Sequence, residues 1–103
     1  MKLNHQMCDF QFSELPIEEK RYIIAIIAEL ESAKEKHPTW PDDLIHRAAI
    51  VGEEAGELLQ AALQYTYEKG RFYNMHKEAI QTGATVLRFL VETGELPEHK
   101  DKA

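Results

Sequence analysis

The chain has 103 residues and a net charge of −6, with 44% apolar and 29% charged side chains. That balance belongs to a globular chain rather than a disordered one, and the length to a single domain with a modest core. The negative charge argues against a nucleic-acid polymer or an anionic membrane as the main partner, but a nucleotide is compatible where a divalent cation inverts the local field.

Residues 1–12 mix Lys2, His5 and Asp9 with few apolar positions and read as a loose N-terminal segment without a secretory signal. Cys8 is the single cysteine, so no internal disulfide can form and a reducing, cytoplasmic setting is expected. The longest apolar run, Tyr22 to Ala28, is far short of the roughly 20 residues that span a bilayer.

Three helices are marked out by their punctuation. Ser13 is placed to cap the first, with Pro16 in its first turn and Glu18 and Glu19 set favourably against the helix dipole. It is expected to run to about Lys36, where His37-Pro38 stops it. Thr39-Trp40-Pro41 is a rigid connector. Asp42 or Asp43 caps a second helix, expected to reach Lys69 with Gly70 as its stop. A third begins near Tyr73 or Asn74 and ends at Gly94, with Pro97 beyond it and a frayed, charged tail over 95–103. With no alternating strand pattern, the expected fold is a single all-α domain over 1–103, with two long helices packed antiparallel.

The first helix is apolar almost all round across Tyr22 to Ala28, and such a helix is buried on several sides. Three helices cannot enclose one of their own. Self-association into a homodimer or homotetramer that buries Ile23, Ile24, Ile26 and Ile27 is therefore expected. The alternative packs these residues against Phe10 and Phe12.

On a wheel of about 100° per residue, Leu44, Ala48, Val51, Ala55, Leu58, Leu59 and Ala62 form the apolar face of the second helix. Glu53 lies on the watery side with His46, Gln60 and Gln64, and Glu57 at its border. Glu54 falls among Ile50, Leu58 and Ala61, where an unpaired charge is costly. Its partner is either Arg47 or a metal. On the third helix Ala79, Ile80, Gly83, Ala84, Val86, Leu87, Leu90 and Val91 make the core face, with Glu78, Gln81 and Thr85 at the polar edge. The small residues Gly56, Gly83 and Ala84 permit close approach, which carries Glu78 towards Glu54 and Glu57. Crowded carboxylates repel unless a hard cation such as Mg²⁺ separates them. The plain alternative leaves Glu78 exposed, paired with Lys77 or Arg88.

From about Glu29 to Glu92 the chain resembles the all-α nucleoside triphosphate pyrophosphohydrolases, the superfamily that contains MazG, the dimeric dUTPases and phosphoribosyl-ATP pyrophosphatase. Their pattern is Glu-Glu-x-x-Glu on one helix and Glu-x-x-Asp on the next. Here Glu53-Glu54-Ala55-Gly56-Glu57 fits the first part and Glu78-Ala79-Ile80-Gln81 the second, with Gln81 in place of the aspartate. The resemblance implies a MazG-like helical bundle completed by oligomerisation. It also implies Mg²⁺, or alternatively Mn²⁺, held by Glu54, Glu57 and Glu78, with Gln81 as a neutral fourth ligand. Glu53 would support these ligands or activate a water, and Glu53 and Glu54 are the candidates for accepting its proton.

Trp40 is placed either to stack on a base or to anchor the helix entry, and Lys77 and Arg88 to reach phosphates. No glycine-rich phosphate loop, Ser-His-Asp order or Cys-His cluster occurs. The leading function is Mg²⁺-dependent cleavage of a (deoxy)nucleoside triphosphate to monophosphate and pyrophosphate. The alternatives are a nucleotide-binding or sensing protein that Gln81 keeps from turning over, and a helical interaction module with no small ligand.

Overall fold

Three helices carry most of residues 11–94, the part of the chain that the structure, a computed structural model, describes. A 3₁₀ turn at Phe12–Glu14 precedes α1 (Ile17–Lys36), α2 (Leu44–Tyr67) and α3 (Phe72–Thr93). No strand occurs among the described residues, so the fold is all-α as expected. The expectations for residues 1–10 and 95–103, including Cys8, Phe10 and Pro97, lie outside the described residues. No described helix is long and apolar enough to cross a membrane.

The helix boundaries follow local chemistry, with three corrections. Ser13 lies in the 3₁₀ turn and caps nothing; Pro16 is the N-cap of α1. The residue before a proline is driven to extended backbone, as Leu15 is with ψ 150°, so the helix begins after the Leu15-Pro16 step. Asp43 rather than Asp42 caps α2, its Oδ2 accepting from the His46 N–H at 2.7 Å. α2 stops at Tyr67, short of Lys69, because Lys69 itself takes the left-handed conformation with φ 60°. The Glu68 and Gly70 N–H groups then both donate to the Gln64 carbonyl oxygen at 2.8 Å. Gly70 serves by lacking a side chain, since a Cβ there would lie 2.9 Å from the Gln64 backbone carbon. α3 consequently starts at Phe72, one residue earlier than expected, with Arg71 as N-cap.

α3 is the middle of the assembly. It packs against both other helices, while α1 and α2 scarcely meet. α2 runs antiparallel to it: Arg47, in the first turn of α2, donates from Nη1 to the Glu92 carbonyl oxygen and to Thr93 Oγ1, both at 3.1 Å. α1 runs parallel to α3, with Tyr22 edge-on to His76 near one end and the His37 carbonyl oxygen accepting from Arg88 Nη2 at 2.7 Å near the other. Gly83 seats Ile26, whose Cδ1 lies 2.9 Å from where a Cβ would stand.

The apolar interior is small: Leu30, Ala61 and Ala84 are the buried hydrophobic residues among those described. Two buried arginines work beside them. Arg47 does not pair with Glu54, as expected of one alternative; its Nε donates to the Pro41 carbonyl oxygen while its Nη1 closes the end of α3. Arg88 is only 4% exposed, its guanidinium 5.1 Å above the Trp40 ring. Together they fasten the α1–α2 connector to the C-terminal half of α3.

Because α2 packs mainly on α3, a narrow strip of it is covered. Ala48, Ala55 and Leu59, expected in the core, are exposed in the single chain, as are Ile24 and Ile27 of α1 and Val86, Leu90 and Val91 of α3. Ile26 and Ile23 are partly covered.

Candidate metal centre

Residues seven apart return to nearly the same side of a helix. Arg47, Glu54 and Ala61 stand at that interval and form the face of α2 turned to α3. Glu54 is thereby carried inwards, and Glu57, one turn on, stays at the exposed border. Register with α3 is set by Thr82. Its hydroxyl lies 2.7 Å from the Glu78 carbonyl oxygen and 3.1 Å from that of Glu54, and so bridges the two helices beside the acids.

The result is a knot of three carboxyl groups. One ligand oxygen from each of Glu54, Glu57 and Glu78 lies within 4.8 Å of the others. Oε2 of Glu54 and Oε2 of Glu78 are buried without a hydrogen-bond partner. Burial raises the Glu54 pKa first, then the charges of Glu57, Glu78, Glu53 and Glu29. Glu78 is raised by burial and then by the nearby Glu57 carboxylate; Lys77 pulls it the other way. Two acids whose ionisation is disfavoured, each with a buried oxygen lacking a partner, make a cluster short of positive charge. An all-oxygen donor set of this kind fits a hard divalent cation.

Beside the knot lies a cleft of about 490 Å³, within the range typical of small-ligand sites. α3 supplies its floor through Gln81, Ala84, Thr85 and Arg88. Glu29, Leu30 and Ala33 of α1 form one wall, Ile50 and Glu54 of α2 the other, and Trp40 and Pro41 close the end. Glu54 is thus shared by the knot and the cleft.

The candidate residues divide accordingly. Glu54, Glu57 and Glu78 converge, and Gln81 lines the cleft with Glu54. Glu53 is exposed and outside the knot, acting on Glu54 by its charge alone. Trp40 and Arg88 both line the cleft but are engaged with each other, which fits the anchoring role for Trp40. Lys77 is exposed and does not line the cleft. Sequence reasoning missed Thr82 and Glu29. Glu29 stands on α1, remote in sequence from the acidic runs, and no spacing points to it. Thr82 does carry a weak signal, standing one turn from Glu78.

No protein-family model matches the chain, and no curated protein or solved structure does so either.

Proposed function

We propose that the chain is a MazG-like, Mg²⁺-dependent nucleotide pyrophosphohydrolase, cleaving a (deoxy)nucleoside triphosphate to monophosphate and pyrophosphate. The observation that carries this reading is the knot of Glu54, Glu57 and Glu78 with two orphaned oxygens, opening through Glu54 into a cleft of nucleotide-compatible size. Antiparallel α2 and α3, with Glu54 and Glu57 three residues apart on the first and Glu78 on the second, support this reading, while Gln81 departs from the pattern.

Glu54, Glu57 and Glu78 would hold the cation, with the Gln81 side-chain oxygen as a neutral neighbour. The cation supplies charge neutralisation on the phosphates and polarisation for attack by water. The protein's own part is to hold the acids in register through Thr82, to keep the cleft's inner end closed with Trp40 and Arg88, and to offer a carboxylate as proton acceptor. Glu53 is suited to that task because it stands outside the ligand knot and is exposed to water. Self-association completes the bundle by covering the apolar residues that the single chain leaves open.

Release of pyrophosphate from a panel of nucleoside triphosphates with Mg²⁺ or Mn²⁺ tests the assignment. Loss of release in Glu54→Gln is the expected control. Gln81 favours a second reading, nucleotide binding without turnover, since a neutral oxygen is a weaker Mg²⁺ ligand than a carboxylate. Metal-dependent nucleotide binding with no pyrophosphate would select it.

A further inference from the structure

The cleft is charged oppositely at its two ends. Glu29 and Lys36 line it from α1, and Gln81 and Arg88 from α3, each pair seven residues apart. Seven residues advance a helix by about 10 Å and return to nearly the same side. Because α1 and α3 run parallel, Glu29 and Gln81 share one end with Glu54, while Lys36 and Arg88 share the other with Trp40. Between the two ends the lining is largely apolar, from Leu30, Ala33, Ile50 and Ala84.

At the basic end the polar groups are biased towards donation. Arg88 is 4% exposed, and its Nε is buried without a hydrogen-bond partner; Glu92 Oε1, at 3.8 Å, is too far to accept from it. Lys36 likewise carries only donors. The main-chain oxygens of His37 and Pro41, which could accept there, already take hydrogen bonds from Arg88 and Arg47. Among the described lining residues the carboxylates are Glu29 and Glu54, both at the other end. His37 and Thr39 can donate or accept, so Arg88 and Lys36 decide the balance.

We propose that this end receives the carbonyl-bearing edge of a nucleobase, so that the preferred nucleotide carries an oxo base of the hypoxanthine, guanine or uracil kind rather than adenine or cytosine. This rests on the nucleotide reading above and names its substrate class.

The polarity of the cleft sets the direction of the ligand. A cation at the acid end gathers the phosphate oxygens, and the apolar middle suits the sugar and the flat of the ring. The far edge of the base then meets Arg88 and Lys36. An oxo group there accepts from them. An amino group would set donor against donor, and a buried donor left unpaired is costly. Arginine pairs with the oxo edge of guanine in DNA by the same chemistry. Thr85, on the cleft floor, favours the same bases. Its hydroxyl donates to the Gln81 carbonyl oxygen at 2.8 Å and so remains an acceptor, and an oxo base presents a ring N–H beside its carbonyl.

Two isosteric pairs, dITP with dATP and dUTP with dCTP, isolate the exchange of oxo for amino, the first on a purine and the second on a pyrimidine. Pyrophosphate release and equilibrium binding, each with Mg²⁺, are expected to favour the oxo member by about tenfold or more, the worth of one charge-assisted hydrogen bond. Preference in either pair supports the assignment and shows which ring the cleft accommodates. Arg88→Gln and Lys36→Gln each put an amide oxygen where only donors stood, and are expected to narrow the ratio within the pair several-fold. Arg88 also fastens the connector, so circular dichroism checks that its variant folds; Lys36 is exposed and carries the test where it does not. Mg²⁺-dependent release or binding with equal or reversed preference in both pairs would overturn the base assignment and leave the nucleotide reading standing. An oxo preference that Lys36→Gln and a folded Arg88→Gln both leave unchanged would overturn the assignment to this end of the cleft. No Mg²⁺-dependent binding or release with any of the four nucleotides would overturn the nucleotide reading and this inference with it.

Discussion

The Thr82 hydroxyl on α3 lies 3.1 Å from the main-chain carbonyl oxygen of Glu54 on α2, the residue whose side chain belongs to both the acid knot and the cleft. With the Glu78 carbonyl oxygen at 2.7 Å, one hydroxyl thus sits between the backbones of two of the three clustered acids. Such a link fixes how far α2 can slide along α3, and a slide of one residue would move the Glu54 carboxyl by about 1.5 Å.

Replacing Thr82 by valine keeps the shape and removes the hydroxyl. The expected cost is about 1 kcal/mol of stability, the typical net worth of such a bond. The informative readout is the melting shift produced by Mg²⁺, which is expected to shrink, while Thr82→Ser retains it. Equal Mg²⁺ shifts in the native chain and Thr82→Val would remove Thr82 from any role in holding the acids.

A pH dependence follows from Glu54 and Glu78. Both carboxyl groups have their pKa raised in the fold, with burial the first cause. A raised carboxyl pKa contributes stability that is fully present below the unfolded-state value and is lost as pH rises through the folded-state value. In chelator, Tm is therefore expected to decline from the acid side towards neutrality, and Glu54→Gln to flatten the decline. Mg²⁺ is expected to restore Tm near neutral pH and to have a diminishing effect as the pH falls and Glu54 and Glu78 take up protons. If the native chain and Glu54→Gln gave parallel curves in chelator, the electrostatic account of the knot would fail.

How much of this was legible in the sequence depends on whether the cause is local or tertiary. A cap at Asp42 or Asp43, the stop at His37-Pro38 and the spacing of Glu54, Glu57 and Glu78 are local, and all could be read from the residue order. Arg47 could not be assigned that way. Its reach to Pro41, Glu92 and Thr93 requires knowing that the connector and the end of α3 meet, whereas Glu54 was only a candidate on its own helix. The burial of Arg88 was hidden for the same reason, since a wheel does not show Trp40 folding over it. The core face of α2 was drawn too wide because a wheel shows which residues are apolar, not how many helices are present to cover them.

The turn between α2 and α3 gives opposite outcomes at adjacent residues. Lys69 holds φ 60°, where a side chain costs about 1 kcal/mol or more, so Lys69→Gly is expected to stabilise the chain by about 0.5–1 kcal/mol. Gly70 has an ordinary φ but no room, so Gly70→Ala is expected to destabilise by about 1–3 kcal/mol as α2 and the turn are forced apart. Thermal melts of the two variants check the pair. Stabilisation by Gly70→Ala would show that the Gln64 backbone yields freely.

Gln81 offers the most direct test of the metal. It lies on the floor of the cleft with Glu54, where the family pattern has an aspartate, and it is only partly exposed. Gln81→Asp adds a fourth negative charge beside two acids whose ionisation is already disfavoured. Without a cation the added repulsion is expected to lower Tm, and the slightly poorer helix propensity of aspartate acts in the same direction. With Mg²⁺ the same charge becomes attractive, so the variant is expected to show a larger Mg²⁺-dependent rise in Tm and a lower Mg²⁺ concentration at half effect. Pyrophosphate release, where the native chain shows it, is expected to increase. Glu54→Gln is expected to do the reverse on every readout. An identical Tm for Gln81→Asp with and without Mg²⁺ would sink the metal assignment, because no arrangement of four oxygen ligands around the knot could then be holding a cation. A larger Mg²⁺ shift without any pyrophosphate release would instead select the binding protein over the hydrolase.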